Sequence, residues 1–232
     1  MISVIVPSFN EEKNIGRCLA SLSVQTLPRD QYEIIVVDGN SKDRTREIAM
    51  QYADQVFIQT SPRVGGARND GALRAKGDIL ATTDADCIIP PEWLVTIRAG
   101  FRKEDTVQVY GPVDPIEPGI GNRLSLALAN TFSTFGYCTG TLYYTLGCNT
   151  AFRRDAFIAA GMYRISDAGD DLEIALRMKK RGDIKFIRRM RVGFSMRRYE
   201  QFGTLKSLYE WLYITFQGGE SGKYSYTQRK YK

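Results

Sequence analysis

At 232 residues, with 43% hydrophobic and 25% charged side chains, the chain has apolar material for one sizeable core and none of the marks of a disordered or fibrous protein. It contains no histidine, which excludes a Ser-His-Asp triad and His-ligated zinc and leaves proton transfer near neutrality to carboxylates, Lys, Tyr or Cys. The formal charge of +6 suits a phosphate-bearing substrate, an anionic lipid surface or nucleic acid alike, and does not choose among them.

In the first hundred residues, short β-branched runs alternate with helical stretches, the pattern of parallel strands joined by crossovers. Strands are predicted at Ile2–Val6, Glu33–Val37, Gln55–Gln59 and Ile79–Thr83. Between them, Glu12–Ser23 sets Ile15, Leu19 and Leu22 at helical spacing, Arg44–Tyr52 and Gly66–Ala75 read as helices, and Pro90-Pro91-Glu92-Trp93 opens another. This is a Rossmann-like nucleotide-binding half, whose strands deliver ligands at their carboxyl edge. Beyond Phe101 the pattern loosens into a strand at Val107–Val113, a helix around Arg123–Phe135 and a helix at Asp171–Arg181 closed by Gly182.

The four cysteines, Cys18, Cys87, Cys138 and Cys148, form no CxxC pair and follow no signal peptide, so free thiols in a reducing, cytoplasmic setting are expected. No run of 18 apolar residues predicts a conventional membrane span. Leu124–Phe152 lacks charge but is too rich in Thr, Ser and Asn to cross a bilayer.

Carboxylates gather where the predicted strands end. Asp84-Ala85-Asp86 leaves the fourth strand with two carboxylates at i and i+2, which can converge on a hard cation such as Mg²⁺ or Mn²⁺. Such an ion would neutralise the charge developing on a nucleoside diphosphate leaving group. A plain turn or Asx cap would also use aspartates here, so the motif gains weight from its neighbours. Asp38 ends the second strand, where it can accept hydrogen bonds from a base or ribose, while Ser41, Asp43 and Thr45 read as helix caps. Gly65-Gly66-Ala67-Arg68 lacks the spacing of a Walker or dinucleotide loop, but Arg68 on a first helical turn can reach a base or phosphate.

Taken in order, these residues resemble glycosyltransferase family 2, the inverting group with the GT-A fold. The resemblance runs from Ile2 to Gly182 and includes Val4-Ile5-Val6-Pro7-Ser8-Phe9-Asn10-Glu11, Asp38 with Ser41, Asp43 and Thr45, Arg68-Asn69-Asp70-Gly71 and Asp84-Ala85-Asp86. Later, Gly147–Arg154 resembles the family's acceptor-side strand, and Gly169-Asp170-Asp171-Leu172-Glu173 its paired carboxylates at a helix start. The resemblance implies an α/β fold, with a Rossmann-like half on a mixed central sheet and an acceptor-binding half. It implies nucleotide contacts at Pro7, Glu11, Asp38 and Asp84, a metal ligand at Asp86, and a general base at Asp171. One domain is expected over residues 1–232, divided near residues 100 and 200 into a nucleotide-sugar half, an acceptor and catalytic half, and an apolar, basic tail.

The implied activity moves a sugar from a nucleotide-diphosphate sugar to the hydroxyl of a glycan or lipid-linked acceptor. Ile88 departs from the Gln that polyprenyl-phosphate mannose synthases commonly carry two residues beyond the motif, which argues against a phosphate acceptor, and no Gln-x-x-Arg-Trp element of processive synthases is present. The first loop lacks the glycine-rich order of nucleotidyltransferases. A basic nucleic-acid-binding module leaves the acidic strand ends unexplained, so no nucleic acid partner is expected. Arg197 and Arg198 are candidates to grip the diphosphate. The stripe Leu205, Leu208, Tyr209, Leu212, Tyr213 and Phe216 suits core packing, a homodimer face or a helix on the cytoplasmic face of a membrane.

Overall fold

Strands β1 (Ile2–Ser8) and β2 (Tyr32–Asp38) are buried along their whole length, as expected of central parallel strands covered on both faces. With β3 (Gln55–Ile58) and β4 (Ile79–Thr82) they form the parallel part of a seven-stranded sheet in the computed structural model, which describes residues 1–140, 143, 145–166 and 169–197. Crossovers are made by α1 (Ile15–Ser23), α2 (Thr45–Ala49) and α3 (Arg63–Arg74). The chain continues through α4 (Trp93–Gly100), β5 (Thr106–Tyr110), β6 (Val113–Pro115), α5 (Ile120–Thr139), β7 (Thr150–Arg153), α6 (Arg154–Ala159), α7 (Asp170–Lys179), β8 (Asp183–Phe186) and β9 (Val192–Phe194). Sheet order is β3-β2-β1-β4-β7-β5-β8, with β7 antiparallel to both neighbours, so the sheet is mixed.

Alternation along the strands divides the core between the two faces. Val4, Val6, Ile34 and Val36 pack with Ile15, Leu19 and Leu22 of α1 and Trp93, Leu94 and Ile97 of α4. Ile5, Ile35 and Val37 face the other way, in one cluster with Ala67 and Ala72 of α3 and Ile174 and Met178 of α7. Each fully buried Leu or Ile contributes about 1.5–3 kcal/mol. Helix α3 presses so closely on β1 that a Cβ at Gly71 would come within 2.5 Å of Ile5 Cγ2. In-register pairing of Ser8 with Asp38 and Ile5 with Thr82 brings the ends of β1, β2 and β4 to one sheet edge.

The elements depart from the periodicity reading in definite places. Helix α1 starts at Ile15 rather than Glu12, because the amides of Asn14 and Ile15 first turn onto the carbonyl of Glu11. The strand expected over Val107–Val113 divides at Gly111-Pro112: a Cβ on Gly111 would meet Met190 O at 1.9 Å, and β6 leaves the main sheet to pair with β9. The expected Arg123–Phe135 helix extends over Ile120–Thr139 and ends on Gly140 at φ +66°. No helix among the described residues is long and apolar enough to cross a membrane. The stripe over Leu205–Phe216 lies outside the described residues.

Candidate active site

The loops after β1 and β2 are woven together. Asn10 and Asn40 take positive φ (52° and 67°), which asparagine tolerates better than most residues, and this folds each loop back on its strand. The Asn10 amide donates to Ser41 Oγ, the Lys42 amide to Asn10 Oδ1, and the Glu11 amide to Thr45 Oγ1 at 2.7 Å. Asp38 is fully buried, and its carboxylate takes Ser41 N at 2.8 Å, Ser41 Oγ at 2.5 Å, Ser8 Oγ at 3.3 Å and the Arg46 guanidinium at 3.6 Å. Those contacts match the lone-pair capacity of one carboxylate, so a ligand would have to replace one of them. Ser41 therefore serves Asp38 rather than capping α2. Asp43 instead accepts the Thr45 amide at 3.0 Å. Pro7 is buried at the end of β1, where its ring needs no ladder donor.

Asp84 and Asp86 follow β4, and each is met by a guanidinium. Arg68, 4% exposed, donates from Nη2 to Asp84 Oδ1 at 2.9 Å. Arg197 reaches Asp86 Oδ2 at 3.2 Å and also pairs with Glu11, whose other oxygen accepts Asn14 Nδ2 at 2.8 Å. The two positions differ in burial: Arg68 is enclosed in the protein, whereas Arg197 is 38% exposed. Beneath the turn, Cys18 Sγ donates to the Asp84 carbonyl at 3.4 Å. Arg198 lies outside the described residues.

The same Arg68 joins the Asp84-Ala85-Asp86 turn to α7. Its Nη1 is 3.2 Å from Asp171 Oδ1 and 3.8 Å from Asp170 Oδ2, and its planar head stands 5.5 Å from the centre of the Tyr163 ring. The guanidinium lies flat against Gly147, where an added Cβ would fall 2.3 Å from both terminal nitrogens. Gly147 also donates its amide to Asp171 Oδ2 at 2.9 Å, and Thr145 Oγ1 donates to the Asp171 carbonyl at 2.6 Å. Burial first and the neighbouring Asp170 second push the Asp171 carboxyl up to about 7, against the opposing pull of Arg68 and the Gly147 amide. Burial likewise raises Asp170, moderated by Arg68.

Sequence reasoning missed Gly147 and Tyr163 as parts of this site. The run Gly147-Cys148-Asn149 stood out only through the resemblance, and only the fold brings it under Arg68.

Five carboxylates (Glu11, Asp84, Asp86, Asp170, Asp171) thus face two guanidinium groups, leaving three formal negative charges when all are ionised. Hard oxygen donors in such an excess fit Mg²⁺ or Mn²⁺. Among the described residues no three His, Cys, Asp or Glu side chains are grouped to hold an ion by themselves.

The family model for "Glycosyl transferase family 2" matches residues 3–161. The chain belongs to glycosyl transferase family 2. It is 41% identical to "Glycosyltransferase AglE" of Haloferax volcanii over 99 residues, covering 40% of this chain and 33% of that one. With "Beta-monoglucosyldiacylglycerol synthase" of Trichormus variabilis it shares 26% identity over 191 residues, or 76% of this chain and 41% of the relative. Among solved structures, the Pyrobaculum calidifontis mannosyltransferase PcManGT in complex with GDP-Man and Mn²⁺ superposes with a TM-score of 0.68 at 20% identity, covering 83% of this chain and 56% of that one. The fold is GT-A. The chain spans less than half the length of either curated relative.

Proposed function

We propose that this family 2 chain carries out inverting, divalent-metal-dependent transfer of a sugar from a nucleotide-diphosphate donor to an acceptor hydroxyl. The observation that carries the reading is the separation of roles along one guanidinium: Asp84 and Asp86 sit at the edge of β4, and Asp171, raised to about 7, lies across Arg68 from them. Pro7, Glu11 and Asp38 line the loops that would take the base and ribose, Asp84 would add a nucleotide contact, and Asp86 would hold the cation. Bound there, Mg²⁺ or Mn²⁺ would supply positive charge to the leaving diphosphate. Arg197, pivoting from Glu11 and Asp86, would grip the same phosphates. GDP-mannose and Mn²⁺ in the mannosyltransferase of the same fold lend support.

Asp171 removes the proton of the attacking hydroxyl. A base titrating near neutrality balances availability against driving force, and a phosphate acceptor would need none, so a hydroxyl acceptor is favoured over a polyprenyl phosphate. The acceptor is a glycan or a lipid-linked compound met at the cytoplasmic face of a membrane, and the diacylglycerol in the name of one relative supports the lipid choice. NMR of the product's anomeric centre tests the reading: inversion is expected, and retained configuration would remove Asp171 from the role of base.

A further inference from the structure

Helix α5 turns large apolar side chains outward. Its fully buried positions are Asn122, Leu126, Ser133 and Gly136, with Tyr137 half-buried against Phe186, while Ile120, Leu124, Leu128 and Phe135 are 87%, 60%, 55% and 65% exposed. With Thr131 and the exposed Cys138, at 100° per residue, these side chains fall within an arc of about 80° along the helix. A soluble helix normally shows the reverse arrangement. The hydroxyls beside the stripe are silenced within the helix: Ser125, Thr131 and Thr134 each donate to the carbonyl four residues back at 2.8 Å, and Thr139 does so at 3.0 Å. Such bonds remove donors that would otherwise demand water near an apolar phase.

We propose that the exposed face of α5 lies in the interfacial layer of an anionic lipid membrane. Charge is complementary: Arg123 is the one charged residue of the helix, and no carboxylate occurs from residue 118 to residue 154 in a chain of net charge +6. Such a stripe binds the headgroup boundary through its buried apolar area, to which anionic lipid adds electrostatic attraction. The stripe has six residues, against the roughly 20–30 a side that a stable dimer interface takes, which argues against a second copy as its occupant. In the chain α5 is followed by Thr145 and Gly147, both bonded to Asp171. The inference rests on the proposed lipid-linked acceptor for its purpose only; the surface itself is tested without donor or turnover.

Cys138 supplies the probe, since the other three cysteines are buried and unreactive by comparison. The full chain is labelled there with an environment-sensitive dye and mixed with phosphatidylcholine vesicles, with and without phosphatidylglycerol. A blue shift that strengthens with phosphatidylglycerol, quenching by lipid-borne doxyl groups, and a fall in vesicle partition of about tenfold or more in the Leu124→Ser/Leu128→Ser/Phe135→Ser variant are expected. The variant's circular-dichroism melt checks that it folds, and equally quenchable dye on the wild type keeps the test open should it not. Three results would overturn the proposal: no spectral change with either vesicle, a dye already shielded in buffer and released on dilution (a second copy), or one shielded at every dilution (the chain's own cover).

Discussion

Nη1 of Arg68 stands 3.2 Å from Oδ1 of Asp171. Because Nη2 of the same buried guanidinium holds Asp84 at 2.9 Å, the helix start that carries the proposed base and the turn that carries the proposed metal ligand share one rigid cation. Planar forked donors allow this, whereas the point charge of a lysine would not span both carboxylates.

The rate should follow ionisation of Asp171. Activity is expected to rise with pH through a midpoint near 7, moving lower as Mn²⁺ saturates, because Asp84 is one of the charges that raise Asp171 and a cation beside it reverses that effect. Asp171→Asn should lower kcat by about 10²–10⁴-fold. A pH–rate profile at two metal concentrations checks both.

Stability should move the other way. The folded pKa of Asp171, about 7, lies above the unfolded value of about 3.9, so its contribution is fully present below pH ~4 and is lost as pH rises through about 7. Asp171→Asn, which stays neutral, is therefore expected to melt above the wild type at pH 8, with the gap closing towards pH 4. In a chain of this size each 1 kcal/mol amounts to roughly 2–4 °C in Tm. Calorimetry across pH reads the difference, and an inactive variant of higher Tm separates a working base from a structural carboxylate.

Removing Arg68 strands buried carboxylates. Arg68→Ala is expected to cost about 3–5 kcal/mol in stability and to move the activity midpoint upward, since the guanidinium holds Asp171 down. Denaturant unfolding gives the first and the pH profile the second.

Gly147→Ala leaves every charge in place yet puts a methyl 2.3 Å from the Arg68 nitrogens. We expect activity to fall at least about tenfold, at about 1–3 kcal/mol of stability, by displacing Arg68 and with it Asp171. A loss confined to KM, with kcat intact, would place the effect elsewhere.

These predictions also mark what a linear reading reaches. Parallel strands announced themselves because β1 and β2 are buried on both faces and therefore read as unbroken apolar runs. Asp84, Asp86, Asp38 and Asp171 were visible because they stand at strand or helix ends with turn residues about them. The partition of Arg68 was not visible: α3 begins at Arg63, which puts Arg68 in the second turn rather than the expected first, and such an arginine looks the same whether it faces phosphate or, as here, carboxylates more than a hundred residues away. Strands β8 (Asp183–Phe186) and β9 (Val192–Phe194) escaped because, unlike the comparably short β3 and β4, they lie among basic residues and carry no unbroken β-branched run. Gly147 carried no signal of its own, since its need for hydrogen in place of a side chain arises from Arg68 lying flat on it.

Arg197 now occupies the carboxylates that the donor complex would use. Arg197→Ala is expected to weaken nucleotide-sugar affinity by about tenfold or more, while strengthening Mn²⁺ binding in the absence of nucleotide by removing a competing positive charge from Glu11 and Asp86. Calorimetric titrations of each ligand alone distinguish these opposite shifts.

The most direct test of the central claim is calorimetric titration of GDP- and UDP-sugars into the wild type and Asp86→Asn, each with Mn²⁺ and with EDTA. Saturable binding of one donor to the wild type with Mn²⁺ is expected, lost or weakened by at least about tenfold with EDTA and in Asp86→Asn under both conditions. Donor binding of equal strength in all four mixtures would contradict it.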